Sequence, residues 1–259
     1  DDPLAPLATL YDAGEIVDTL SQVVKSVAVA QREGRRVALS NWLFLGRSGT
    51  GKTTVARKFG EIMCVLGMLP SDKVVTTSAV DLTGSYVGQS KDKVRSKMEE
   101  ARGGVLFIDE AYELGKGAYG EEVLTTLLAA MTEDDFKDNL VVVMAGYEDA
   151  MSAMMGRNEG IRSRFSSTLR FSDWPPARCV GLVQHLCREQ VVALEPPAAD
   201  LLSELFGELQ GRPGFANART AITVFRRAVA VRDQRVYDTP EEAPTLTEED
   251  CRAAAEHML

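Results

Sequence analysis

The stretch "NWLFLGRSGTGKTTVARKF" (41–59) narrows the possible folds more than any other part of the chain. An apolar run too short for a helix enters three glycines within six residues, Gly46, Gly49 and Gly51, and leaves through a helical pattern that runs from Lys52 to about Leu66. "GRSGTGKT" (46–53) meets G-x-x-x-x-G-K-[ST] at every fixed position, in the strand–loop–helix context that this pattern requires. The glycines let backbone N–H groups turn toward phosphate oxygens. Lys52 reaches the β and γ oxygens and Thr53 offers a hydroxyl to Mg²⁺, while Thr50 and Thr54 complete the expected nucleotide-binding set.

The rest of the chain continues the alternation. A helix is expected from Glu15 to Arg32, and apolar runs at 73–78, 104–109, 140–146 and 168–171 are separated by helical patterns at about 91–101 and 121–131. Continuous apolar strands between helices indicate an α/β fold of the P-loop NTPase kind, a parallel sheet with helices on both faces. Pro175-Pro176 breaks the pattern. Beyond it only helical segments are expected, at about 177–193, 198–210, 216–235 and 247–258, so the reading is an α/β domain over 1–174 and a small all-helical domain over 175–259.

"GVLFIDEAY" (104–112) is a strand that ends in two adjacent acids, and ligands bind beyond the carboxyl ends of strands in open α/β sheets. Asp109 suits Mg²⁺ held through water, and Glu110 suits polarisation of an attacking water. An acid placed to activate water points to hydrolysis of ATP, not to phosphotransfer. Mg²⁺ shared with nucleotide phosphates needs no protein cage of its own.

The balance of 29 basic and 38 acidic residues, a net charge of −9, disfavours a general nucleic-acid or anionic-membrane surface. Cys64, Cys179, Cys187 and Cys251, with His185 and His257, lack zinc-ligand spacing and read as reduced, inert side chains. The sequence shows neither a transmembrane-length apolar run nor a signal-peptide pattern, so an intracellular, cytoplasmic setting is expected, with an organelle stroma or the nucleus as other settings. The opening Asp1-Asp2, in place of Met, suggests a processed product or a piece of something longer.

With these residues in place, the sequence resembles the AAA+ ATPases, within them the group containing red-type Rubisco activases, stage V sporulation protein K and type VII secretion ATPases. The resemblance runs through "GRSGTGKTTVAR" (46–57), "GSYVGQS" (84–90), "GGVLFIDEAYEL" (103–114), "LVVVMAGYED" (140–149), "NEGIRSRF" (158–165) and "GFANARTA" (214–221). The flanks of the second stretch differ from those of Rubisco activases, and "LATLYDAGEIVDTL" (7–20) matches the group only loosely, so carbon fixation is not implied.

The resemblance implies a homo-oligomeric ring, usually a hexamer, with ATP between neighbouring subunits and a protein substrate. It makes Arg164 the arginine that completes the neighbour's site, with Arg162 as a second at the same interface, and Arg219 of "NAR" the second sensor. The first sensor falls at Tyr147 or Glu148 and stays unassigned. "GSYVGQS" corresponds to the first pore loop, with Gly84 and Gly88 as joints and Tyr86-Val87 as an apolar tip that grips the substrate. Two other readings stand beside the protein remodeller. One is a nucleic-acid-handling ATPase of the loader type, and the other a nucleotide-sensing regulatory module of a larger protein.

Overall fold

A computed structural model describes residues 2–11, 14–83, 89–239 and 245–256. The segment 84–88, which holds Tyr86, Val87 and Gly88 of the expected pore loop, lies outside the described residues. Contacts divide the chain into two compact units, one of residues 1–46 and 51–171, the other of residues 47–50 and 172–259.

The first unit begins with a 3-10 turn at Ala5–Thr9 and helix α1 (Gly14–Arg32). Strand β1 (Trp42–Gly46) and helix α2 (Lys52–Val65) flank the glycine-rich loop. Then come β2 (Val74–Ser78), the short α3 (Ala79–Leu82), α4 (Gln89–Ala101), β3 (Val105–Asp109), a 3-10 turn at Ala111–Gly115 and α5 (Gly117–Ala130). β4 (Val141–Gly146), α6 (Glu148–Arg157), α7 (Glu159–Arg164) and β5 (Ser167–Phe171) complete it. The expected strands and long helices are present; α3, α6 and α7 were not anticipated, being only one to three turns long and carrying weak periodicity.

All five strands pair in parallel, in the order β2-β3-β4-β1-β5. Composition explains which strands are central. β3 (VLFID) and β4 (VVVMAG) are apolar and buried nearly throughout, as is β1 (WLFLG), whereas the edge strands β2 (VVTTS) and β5 (STLRF) alternate toward solvent. The two-residue period sorts the side chains. Leu43, Leu45, Leu106, Ile108, Val142 and Met144 pack on one face with α4 and α5, and Trp42, Phe44, Phe107 and Val143 on the other with α1 and α2.

On the second face Phe44, fully buried, sits 6.0 Å from the Phe59 ring, 6.2 Å from Phe107 and 5.3 Å from Phe171, with Trp42 5.3 Å from Phe59. This aromatic cluster clamps α2 onto β1 and so fixes the two elements between which the loop is strung. Among the described residues no helix is long and apolar enough to cross a membrane.

In the second unit the four expected helices are α8 (Pro176–Glu189), α9 (Pro196–Gln210), α10 (Asn217–Asp238) and α11 (Glu248–Ala255). Pro176 and Pro196 open their helices at the position where a missing N–H costs nothing. α8 stops short of the expected 193 because Val191, 92% exposed, adopts φ 56°, which no helix continues. The chain then forms β6 (Ala193–Leu194), parallel to β7 (Thr245–Leu246), a two-residue pair in a region read from sequence as helical only.

Asp250, 1% exposed, binds Arg235 through two bonds, Nε to Oδ1 at 3.1 Å and Nη2 to Oδ2 at 2.9 Å. Burial raises its pKa, but the Arg235 and Thr247 hydrogen bonds together outweigh that and hold it below the ordinary value. Burial also pushes the Cys179 thiol up to about 11 and Cys251 to about 12, which keeps both as unreactive thiols.

Truncation of the aromatic clamp tests this account of β1 and α2. Phe59→Ala is expected to cost about 3–5 kcal/mol and Phe59→Leu clearly less, because Leu leaves a smaller cavity. Urea unfolding followed by circular dichroism measures both, and equal losses would show that ring packing is not what holds α2.

Candidate functional site

β1 and β3 run parallel and end on the same side of the sheet with β4 between them; Asp109 is level with Phe44, so Gly46 lies two strands across and two residues further along. Gly46 is forced by close approach, since a Cβ there would lie 2.5 Å from the Phe171 carbonyl oxygen of β5. Gly51, at φ 103°, is the N-cap of the 14-residue helix α2 and makes no side-chain cap bond, and the N-terminus of such a helix favours an anion. Lys52 is 9% exposed and its Nζ donates to the Gly46 carbonyl oxygen at 2.8 Å. Thr53 is half-buried and Thr54 exposed. A buried ammonium beside uncapped helix N–H groups and glycines without Cβ atoms is donor chemistry that fits a phosphate chain.

At the end of β3, Asp109 is half-buried and Glu110 exposed. The Glu110 N–H donates to Asp109 Oδ1 at 3.0 Å, and Glu110 adopts φ 50° and ψ 37°. A left-handed conformation in a residue with a Cβ costs about 1–2 kcal/mol. The following 3-10 turn holds it there, with Ala111 and Leu114 fully buried. The strain falls on Glu110, the second of the two adjacent acids.

The end of β4, where the first sensor was expected, is closed by a ring. A Cβ on Gly146 would lie 2.8 Å from Cδ1 of Tyr112, and the Tyr112 ring lies 5.6 Å from that of Tyr147. Glu148 pairs instead with Arg170 at 3.1 Å. Burial, followed by the charge of Glu110, pushes the Tyr112 phenol up to about 12. Sequence reading missed Tyr112; its adjacency to the acids in "DEAY" was the available signal.

On α7, Arg162 is exposed and Arg164 half-buried. Arg164 Nη1 donates to the Gly160 carbonyl oxygen at 3.2 Å, and its own carbonyl oxygen accepts from Asn41 Nδ2 at 3.2 Å.

The second unit carries loop residues 47–50. Thr50 is buried, with Oγ1 donating to the Arg47 carbonyl oxygen at 2.8 Å. Gly49, at φ 72°, must be glycine for a second reason, since a Cβ there would collide with the Ala216 carbonyl oxygen. Arg219 is exposed and its Nη1 donates to Ser48 Oγ at 3.1 Å, so the residue read as second sensor rests on the loop segment of its own unit. Asn217, which sequence reading passed over, is fully buried beside the same segment.

A family model described as the ATPase family associated with various cellular activities (AAA) matches residues 42–172, and an AAA lid domain model matches residues 180–259. The chain is 32% identical over 236 residues to the chloroplastic ribulose bisphosphate carboxylase/oxygenase activase of Cyanidioschyzon merolae, a match covering 87% of this chain and 80% of that protein. It is 35% identical over 224 residues to the ESX-1 secretion system protein EccA1 of Mycobacterium leprae, covering 80% of this chain but 39% of EccA1. The solved Thermotoga maritima RuvB Holliday junction branch migration motor superposes with a TM-score of 0.63 at 19% identity, covering 93% of this chain and 68% of that one, which is a likeness of fold.

The raised phenol pKa gives a direct check on the closed end of β4. Tyr112 is expected to give a late step, at about 12, in an ultraviolet pH titration, and Tyr112→Phe should remove that step. Its stabilising contribution is whole below the ordinary phenol pKa of about 10 and is lost as pH rises through about 12.

Proposed function

The chain belongs to the AAA ATPase family, and from that premise we propose that it works as a ring, probing a neighbour's nucleotide with each subunit and using ATP hydrolysis to pull a segment of another protein through a central pore. ATPase activity is the family's shared chemistry. The observation that carries the site assignment is the left-handed Glu110 beside Asp109 on a strand that shares its edge of the sheet with the buried Lys52.

In this reading residues 1–174 form the nucleotide-binding domain and 175–259 the lid. Gly46, Gly49, Thr50, Gly51 and Thr54 shape the phosphate cradle, and Lys52 neutralises the β and γ oxygens. Thr53 and, through water, Asp109 supply the hard oxygen donors that suit Mg²⁺, which when bound draws charge from the phosphates. Glu110 accepts a hydrogen bond from the attacking water and orients it at the γ-phosphorus, giving ADP and phosphate. Arg219 reports on the γ-phosphate from the same subunit, and Arg164, with Arg162 beside it, completes the site of the next. Arg164 must then leave the Gly160 carbonyl that it binds in the single chain, an exchange of a neutral acceptor for an anionic one.

A protein as substrate is supported by the relatives, one named as the activator of an enzyme and the other as a secretion-system component. The acidic balance of the chain points the same way, against a duplex or single strand in the channel. In this reading Tyr86, Val87 and Gly88 are the residues that grip the substrate.

Mixed assembly tests the shared site. Glu110→Gln should retain ATP and lose nearly all turnover, Lys52→Ala should lose nucleotide binding, and Arg164→Ala should bind ATP but hydrolyse it on the order of 10³-fold more slowly, as for arginine fingers elsewhere. Rings mixed from Arg164→Ala and Glu110→Gln subunits should regain part of the activity that each lacks alone. Absence of recovery despite verified co-assembly would count against a site shared between subunits.

The pore reading has its own test. A photocrosslinker at position 86 should label a protein substrate in an ATP-dependent manner, and Tyr86→Ala should lower remodelling. Labelling that never occurs, with a Tyr86→Ala protein that remodels as the parent does, would remove the loop from substrate handling.

A further inference from the structure

Asn217 is the first residue of α10, fully buried, and one of the few non-glycine residues with positive φ, at 48°. Asn tolerates that conformation better than most side chains. Its carboxamide makes three bonds within the second unit. Oδ1 accepts from the Trp174 N–H at 2.8 Å, and Nδ2 donates to the Ser48 carbonyl oxygen at 3.0 Å and to Asp173 Oδ1 at 3.3 Å. The next residue repeats the grip, since the Ala218 N–H donates to the Gly49 carbonyl oxygen at 3.1 Å. Asp173 in turn binds Arg47 Nη1 through Oδ2 at 3.3 Å.

Both loop carbonyls are therefore held by the start of α10, and planarity carries the consequence across each peptide. In a trans peptide the C=O and the following N–H point in opposite directions. Fixing the Ser48 carbonyl toward Asn217 turns the Gly49 N–H away from α10, and fixing the Gly49 carbonyl on Ala218 turns the Thr50 N–H away likewise. Among the described residues neither N–H has an acceptor, although Thr50 is only 4% exposed. Thr50 is buried and Gly49 half-buried, and backbone donors without partners in such places are uncommon and point to a ligand.

We propose that Asn217 is a positioning residue of the phosphate loop: its carboxamide holds the Ser48 carbonyl so that the N–H groups of Gly49 and Thr50 stay aimed at bound phosphate, and this tie sets how long nucleotide is retained. The proposal rests on the reading of 46–53 as the nucleotide loop and adds a residue outside the motif. Arg219 and Asn217 divide the work, one contacting Ser48 by its hydroxyl and the other by its backbone.

Two substitutions preserve the backbone conformation and remove the donor. Asn217→Gly keeps positive φ without strain, and Asn217→Asp keeps the acceptor for Trp174 but cannot donate to Ser48. In nucleotide-free protein the Ala218 amide, whose acceptor is the Gly49 carbonyl, should exchange with deuterium faster in both variants. With the fluorescent analogue mant-ADP, both should show dissociation at least about tenfold faster, with association rate and number of sites unchanged. A merely structural role would lower the number of competent sites instead. The double variant Asn217→Asp with Asp173→Asn restores the 217–173 bond while leaving Ser48 without its donor, so its dissociation should stay fast.

Unchanged Ala218 exchange in both single variants overturns the tie. Faster exchange with mant-ADP dissociation within about twofold of the parent overturns its link to retention, and recovery in the double variant transfers the role to Asp173. Parent protein that holds no mant-ADP at all defeats the nucleotide reading and the retention claim together, while the exchange measurement still reports on the tie itself.

Discussion

A backbone loop that binds phosphate has to be rigid while leaving its N–H groups unspent, and these demands conflict, because backbone segments are ordinarily made rigid by spending them. Here the conflict is met through the carbonyls. The Gly46 oxygen takes the Lys52 ammonium, the Arg47 oxygen takes the Thr50 hydroxyl, and the Ser48 and Gly49 oxygens take donors from the start of α10. Each bond fixes a peptide plane without using a backbone N–H of the loop. Glycine is needed twice for a steric reason as well, where Gly46 passes the Phe171 carbonyl and Gly49 passes that of Ala216.

The sheet supplies the other half of the chemistry by its strand order. β4 separates the loop strand from the acid strand, so Gly46 and Asp109 are held apart by one intervening strand. Placing β4 at the centre is affordable only because its six residues carry no charge and are all buried. Its end then has no polar side chain to contribute, and Tyr112 fills the space beside Gly146. The strained Glu110 is the local cost of turning the chain immediately after Asp109 into the 3-10 turn that carries Tyr112.

The chain belongs to the AAA family, and the arginines proposed to act between subunits lie on α7. Arg164 is folded back onto Gly160, and Arg162 is exposed on the same short helix. In the proposed ring, a guanidinium bonded to a neutral carbonyl would exchange it for an anion on another subunit, since hydrogen bonds between charged partners are about twice as strong as neutral ones. The relatives differ in length, this chain spanning four-fifths of the activase but well under half of EccA1, so the common part is the ATPase with its lid.

By itself the sequence determined the elements and the chemistry that is local in the chain. The loop motif, the five apolar strands, the adjacent acids and the helices after Pro175 were legible because each is written in spacing over a few residues, where glycine freedom, hydrophobic period and proline geometry act directly. The tertiary structure alone decided what depends on residues far apart. The order β2-β3-β4-β1-β5 follows from which strands can be buried on both faces, a competition that no single segment records. Asn217 and Ser48 are 169 residues apart, and nothing in "NAR" tells that its asparagine would be buried and left-handed. Tyr112 beside Gly146 and the two-residue pairing of β6 with β7 are of the same kind, contacts set by packing between distant segments, which local pattern cannot encode.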